Sequence, residues 1–114
     1  MADDVVYINV EEGTKRVMNN TKLYARLLTK FKSDTSMSEL DASLTAGDME
    51  KAQIAAHTLK GLAANLSLIE LFKQSLELET QIKARAVNPD QITTLKDTFA
   101  RTLTEIDKVI AQND

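Results

Sequence analysis

The stretch Ala52–Leu68 reads AQIAAHTLKGLAANLSL and holds the only histidine of a 114-residue chain. Ala52, Ala55, Leu59, Leu62 and Leu66 recur at steps of three and four. On a helix turning about 100° per residue they form one narrow apolar stripe facing a core. His57 falls opposite that stripe and is predicted to face solvent. Gln53, Lys60, Gly61 and Ala64 share its outward face, because residues three, four and seven apart stack along a helix. A glycine inside a helix costs about 1 kcal/mol relative to alanine, so Gly61 needs a reason other than helix stability. The simplest is that a second body must come close to the imidazole; the competing reading is that His57, Lys60 and Gly61 are chance surface residues, since single glycines do occur in helices.

Composition narrows the classes of function. A formal net charge of -3, with no basic stripe, argues against a nucleic-acid partner, whose phosphates call for clustered Lys and Arg. The chain has no cysteine, which removes disulfides and thiol chemistry. One histidine without cysteines is also a poor basis for a zinc or other transition-metal site, which wants three or four soft or borderline ligands; no metal and no cofactor are expected. No run approaches the ~18 apolar residues of a membrane span, so no membrane association and no secretory leader are expected, and the cytoplasm is the default compartment. The length suits one domain over residues 1–114, with residues 1–9 as an N-terminal strap, and a monomer is expected. Three glycines and one proline leave room for long helices.

In chain order, Val5, Val6, Tyr7 and Ile8 form a short apolar run expected to cover one end of a bundle. Asn9 with Glu12 three residues on resembles a capping box opening a short helix that ends near Met18, Asn19 and Asn20. From Thr21, the residues Tyr24, Leu27, Leu28 and Phe31 keep a helical period that Ser33–Thr35 interrupts, as a kink or as a loop. Ser36 and Glu39 read as another capping box, opening a helix whose Met37, Leu40 and Leu44 face inward and which stops at Gly47. Asp48 caps the histidine helix at once, and so short a connection makes the two helices antiparallel. Ser67 and Glu70 read as a further capping box. The next helix then turns Ile69, Phe72, Leu76 and Ile82 inward, with Leu68, Leu71 and Leu78 on a flanking stripe, and fades near Ala86. Asn88 as cap and Pro89 at the first helical position start the last helix, where Ile92, Leu95, Phe99, Leu103, Ile106 and Ile110 form the cleanest stripe of the chain. Met18, Met37 and Met49 and the aromatic Tyr24, Phe31, Phe72 and Phe99 are expected as core fillers. The segments Thr21–Gly47 (two helical pieces), Asp48–Leu66, Leu68–Ala86 and Pro89–Gln112 predict an all-α fold, an up-and-down antiparallel four-helix bundle with a short N-terminal helix.

The run His57, Thr58, Leu59, Lys60 and Gly61, followed by Ala63, Asn65 and Leu66, resembles the signature of the histidine phosphotransfer (HPt) domain family, and the resemblance extends over the chain from about Val10. One departure is Ser67, which stands where such domains usually have glycine. The resemblance implies a phosphocarrier of a multistep two-component phosphorelay. Its phosphoryl group would move to and from aspartates of receiver domains, in a response regulator and/or a hybrid histidine kinase, and the receiver would bring the divalent metal and most of the catalytic groups.

The residues allow that chemistry. A neutral imidazole is a competent nucleophile toward phosphorus, and histidine is the side chain that changes charge near neutral pH, so His57 can be the phosphorylated residue. Lys60, one turn on, is expected to neutralise part of the added charge as a flexible point charge. No carboxylate is spaced to orient His57 from its own helix. The chain has no Gly-rich phosphate loop and is not expected to be a kinase, so the phosphoryl group must come from another protein. Gln53, Ile54, Gly61 and Ala64 are the expected partner-binding residues. The rival reading is a non-catalytic helical interaction module, against which the joint presence of His57, Lys60 and Gly61 counts.

Overall fold

The structure, a computed structural model, describes residues 5–113. The helices are α1 (Val10–Lys15), α2 (Thr21–Phe31), α3 (Ser36–Ala46), α4 (Met49–Asn65), α5 (Ile69–Lys83) and α6 (Pro89–Gln112), with no strand among the described residues. Neighbours in sequence are neighbours in space: α4 lies between α3 and α5, and α5 between α4 and α6. The ring closes where α6 meets α2 and α3. Lys32, just past α2, sits 2.5 Å from Asp107, while Asp41 of α3 sits 2.9 Å from Lys96. Thus α2 and α3 run in succession along α6, antiparallel to it, and together make one corner of a four-cornered bundle. The break at Ser33–Thr35 is a true loop.

Most helix ends follow from local chemistry. Asn9, Asn20, Asp48 and Asn88 each accept the amide of a first-turn residue on a side-chain oxygen, satisfying donors that have no intrahelical partner. Gly47 ends α3 with φ 74, in the left-handed region that glycine enters without penalty. Two expected capping boxes do not form. At α3 the cap position is Thr35, whose hydroxyl goes to Glu39, and the amide of Ser36 is taken by Asp34 at 2.8 Å, because the loop turns one residue earlier than the Ser36 pattern implies. At α5 the cap position is Leu68, without a side-chain cap. Ser67 is buried in the left-handed region at φ 57 and its hydroxyl donates to Glu12 at 2.7 Å. A positive φ at this corner is the physical reason a glycine suits the position.

The N-terminal segment acts as a strap, though a narrower one than its apolar run suggests. Tyr7 accepts the amide of Ile69, and the amide of Asn9 donates to the carbonyl of Ser67, both at 2.9 Å. Ile8 packs on the core, whereas Val5 and Val6 remain exposed. The strap therefore ties the α4–α5 corner, and residues 1–4 of the expected strap lie outside the described residues.

One hydrophobic cluster fills the bundle, from Tyr24, Leu28 and Phe31 through Leu40, Leu59, Leu71, Leu78 and Ile82 to Leu95 and Ile106. Each fully buried Leu or Ile contributes about 1.5–3 kcal/mol relative to exposure. Tyr24 is a core filler with a polar end: its hydroxyl donates to the carbonyl of Leu66 at 2.5 Å. Burial first, and the nearby Glu12 carboxylate second, push its phenol up to about 12. Gly13 makes this possible, since a methyl group there would lie against Cζ of Tyr24 and clash with the ring. Met18, expected inside, is 91% exposed on a turn where it and Asn19 both take positive φ, so its side chain is swung away from the bundle.

The phase of α5 also differs from the expected one. Its core line is Leu68, Leu71, Ser75, Leu78, Glu79 and Ile82, all buried, while Ile69 and Phe72 are half-buried and Leu76 is exposed. The flanking stripe is the core stripe. Ser75 and Glu79 interrupt it with polar groups, which made the alternative row of Ile69, Phe72 and Leu76 look like the more continuous apolar face.

Candidate functional site

Helix α4 is sorted by its neighbours. Ala52, Ala55, Leu59 and Leu66 are buried as the stripe predicts, and Ala56 and Ala63 join them, whereas Leu62 is half-buried at the edge. Ala56 and Ala63 widen the buried face toward α5. Small side chains let the two helices approach closely, so groups on the edge of α4 reach groups on α5. His57 stands at that edge with its side chain 69% exposed. Ile54 is exposed one turn before it, Gln53, Gly61 and Ala64 are half-buried, and Thr58 is exposed with its hydroxyl donating back to the carbonyl of Ile54. The six residues singled out from the sequence thus lie on one side of α4. A methyl group placed on Gly61 would meet no neighbour within 4 Å, so nothing inside this molecule asks for a glycine there.

What the sequence reading missed is Glu79. Its side chain is 3% exposed, yet three basic groups converge on it: Nδ1 of His57 at 3.0 Å, Nζ of Lys60 at 2.6 Å and Nζ of Lys83 at 3.6 Å. The Lys60 contact is an ion pair with Oε1 rather than a directed hydrogen bond, and the His57 contact is a hydrogen bond with Oε2. Burial on its own would raise the Glu79 carboxyl. The contacts with Lys60 and His57 and the charge of Lys83 outweigh it and hold the group below the usual carboxylate range. A charge taken out of water persists only when it is paired in this way.

Two expectations change accordingly. Lys60 is not a free flexible cation: its side chain is 21% exposed and its ammonium is committed to Glu79. And although no carboxylate orients His57 from α4, one does so from α5, through a contact that spacing along a single helix cannot display. The signal available in the sequence was an acid lying inside the 3-4-3-4 row Leu68, Leu71, Ser75, Leu78 and Ile82, one helix after the only histidine. Among the described residues no group of three or more His, Asp or Glu could hold a metal ion, and no helix is long and apolar enough to cross a membrane.

The chain matches the family model for the Hpt domain over residues 26–108, most of its length and including His57, Lys60, Gly61 and Glu79. It belongs to the Hpt domain family. No curated protein and no solved structure matches it. Hpt domains are helical histidine phosphotransfer modules of phosphorelays, phosphocarriers rather than kinases, whose partners are receiver domains. The geometry of this Hpt domain can serve that chemistry: an exposed imidazole, oriented from behind by a buried carboxylate, on a helix face left bare beside it.

Proposed function

We propose that this Hpt domain carries a phosphoryl group on His57, taking it from and returning it to aspartates of receiver domains in a response regulator or a hybrid histidine kinase. The observation that supports this most is the exposed imidazole of the chain's single histidine, standing within the matched family region beside a glycine that no packing requires. A receiver would dock over Gln53, Ile54, Gly61 and Ala64. Ile54, 68% exposed, offers the main apolar contact on α4. Lys60 would act mainly through Glu79, with its charge spread over the site, rather than as a dedicated clamp on the phosphoryl group. The domain would work as a monomer in the cytoplasm with receivers dissolved there.

The test is His57→Gln. A glutamine amide can still donate to Glu79, so stability should change by only about 0.5 kcal/mol, as surface substitutions usually do, while labelling by a phosphorylated receiver should disappear. Labelling that survives the substitution would overturn the proposal. Receiver binding without any labelling of the wild-type chain would favour the interaction-module reading instead.

A further inference from the structure

We propose that the exposed face of α2 is an electrostatic docking surface, distinct from the partner-binding residues of α4, and that its occupant is an acidic helix on the surface of the partner protein. Naming that partner as a receiver protein rests on the reading that His57 exchanges phosphoryl groups with receivers.

The charge of the chain is divided by position. Gly13–Ser33 holds Lys15, Arg16, Lys22, Arg26, Lys30 and Lys32 and no Asp or Glu, a charge of +6, while the remaining residues hold eight Lys and Arg against seventeen Asp and Glu, a charge of -9. The net value of -3 conceals a basic stripe, so the absence of one expected from composition does not hold on α2. Lys22, Arg26 and Lys30 follow at steps of four and are all exposed. They form a row with about 6 Å between neighbours along the helix axis. Lys22 and Arg26 line a groove of about 320 Å³ with Ala25 and Thr29 of α2 and Ile110 and Asn113 at the end of α6. Lys30 borders a second groove with Leu62 and Asn65 of α4.

Helix stability does not account for this row. Like charges four residues apart destabilise a helix, and a cation in the first turn opposes the helix dipole. Helix α2 alone of the six has no acidic residue in its first turn, where it carries Lys22. Nor do neighbouring helices neutralise it. Outside Gly13–Ser33, six of the eight Lys and Arg stand in ion pairs. Within it, Arg16 meets Glu12 and Lys32 meets Asp107, but Lys15, Lys22, Arg26 and Lys30 meet no acid among the described residues.

A surface that breaks local rules with no gain in stability points to a function. The spacing of the row fits carboxylates at steps of four on a second helix, which recur at the same interval of about 6 Å. A bilayer or a nucleic acid presents phosphates over a broad area and would also face the acidic remainder of the surface, whereas one helix can lie along the row alone. Exposed ion pairs add little affinity. Complementary charge instead steers encounter, raising association rates by about 10-fold to 1000-fold at low salt. The face of α2 therefore selects partners by rate of encounter and leaves the chemistry at His57 untouched.

The experiment compares the full chain with a triple variant, Lys22→Glu, Arg26→Glu and Lys30→Glu, and with a milder one in which the same three residues become Gln, each checked for folding by thermal melt. Phosphoramidate should label His57 at the same rate in all three. The phosphorylated receiver that labels the wild type fastest is then used at subsaturating concentration. In about 0.02 M salt its transfer to the Glu variant should be about tenfold slower than to the wild type, and the gap should close in about 0.5 M salt, where exposed charges are screened within a few Å. The Gln variant should show a smaller gap with the same salt dependence, and carries the comparison if the Glu variant melts early. Transfer at saturating receiver should be unchanged. Equal subsaturating rates at low salt, or a gap that salt does not close, would overturn the proposal. Binding of the wild type but not the Glu variant to phosphatidylglycerol vesicles, with transfer unaffected, would overturn it in favour of a membrane. A wild-type chain that phosphoramidate labels and no phosphorylated receiver does would overturn the carrier reading and the partner named here with it, whereas normal receiver labelling at equal rates in all three chains would overturn the α2 proposal alone.

Discussion

Two corners of the molecule each combine a glycine with a polar group driven into the core, and they use the combination in opposite ways. Where α1, α2 and α4 meet, Tyr24 is buried, its hydroxyl is satisfied by the Leu66 carbonyl, and Gly13 receives its ring with no room to spare. Where α4 meets α5, Glu79 is buried, but its partners lead outward to an exposed imidazole, and Gly61 faces open space. The first corner is closed, and the group buried there is an uncharged hydroxyl. The second is charged and ends at the surface. The difference teaches how to read a buried polar group: one whose hydrogen bonds all end in the backbone serves the fold, whereas one that holds an exposed titratable side chain in a fixed orientation is a candidate for chemistry.

The sharpest way to break the contrast is to put the same methyl group on both glycines. Gly13→Ala should destabilise the domain by about 3 kcal/mol, at the upper end for overpacking, because the Tyr24 ring is held by its own hydrogen bond and cannot move aside freely. Phosphotransfer by the fraction that stays folded should be unchanged. A denaturant melt beside a transfer time course measures both, and a loss below about 0.5 kcal/mol would mean that α1 does not clamp Tyr24.

A smaller effect is expected at the charged corner. Lys60→Ala removes one of two lysine cations beside a buried carboxylate, and should cost about 2 kcal/mol near neutral pH, less than the full loss of a buried partner because the Lys83 charge and the His57 hydrogen bond remain. The sign with pH follows from the depressed carboxyl of Glu79. Stability from its contacts is fully present above the unfolded carboxylate value, about 4.3, and is lost as pH falls through the lower folded value. The gap between variant and wild type should therefore narrow in acid. Melts at neutral pH and near pH 3 check this; a gap that stays constant would assign the loss to packing of the Lys60 stem instead.

The smallest effect on stability, and the one of opposite sign, belongs to Gly61. Gly61→Ala should stabilise the helix by up to about 1 kcal/mol, since alanine restricts the unfolded chain and meets nothing in the folded one. Gly61→Gln should keep part of that gain, yet slow transfer by something on the order of 100-fold if its side chain displaces the incoming phosphoryl group by ~1 Å. Transfer at the wild-type rate in Gly61→Gln would remove the reason offered for a glycine at this place.

Much of the architecture was legible from local chemistry. The caps at Asn9, Asp48 and Asn88, the glycine stop at Gly47 and Pro89 at the head of α6 stand where the sequence puts them, because a helix end is decided by a few neighbouring residues and their hydrogen bonds. The outward placement of His57 was legible too, since one helix wheel suffices for it. The failures share a cause. The apolarity of Met18 suits a core, but a left-handed turn carries it outside. At Ser67 the Ser-x-x-Glu spacing was present, but the strap from Tyr7 and Asn9 and the Glu12 carboxylate had already claimed the corner. Leu76 matches an inward row by spacing only because two polar residues, Ser75 and Glu79, interrupt the true stripe of α5.

Sequence alone, then, determined the helices, their order, the helical class of the fold and the histidine's solvent-facing side, all of which depend on periods and caps within about twenty residues. Only the tertiary structure decided that Glu79 belongs to the histidine, that Lys60 is committed to that carboxylate, and that Gly13 is filled while Gly61 is empty. Those facts depend on how far one helix is rotated against the next. A rotation of about 100°, the angle between successive residues, exchanges one side-chain row for another, and it is set by the packing of the whole bundle rather than by either helix.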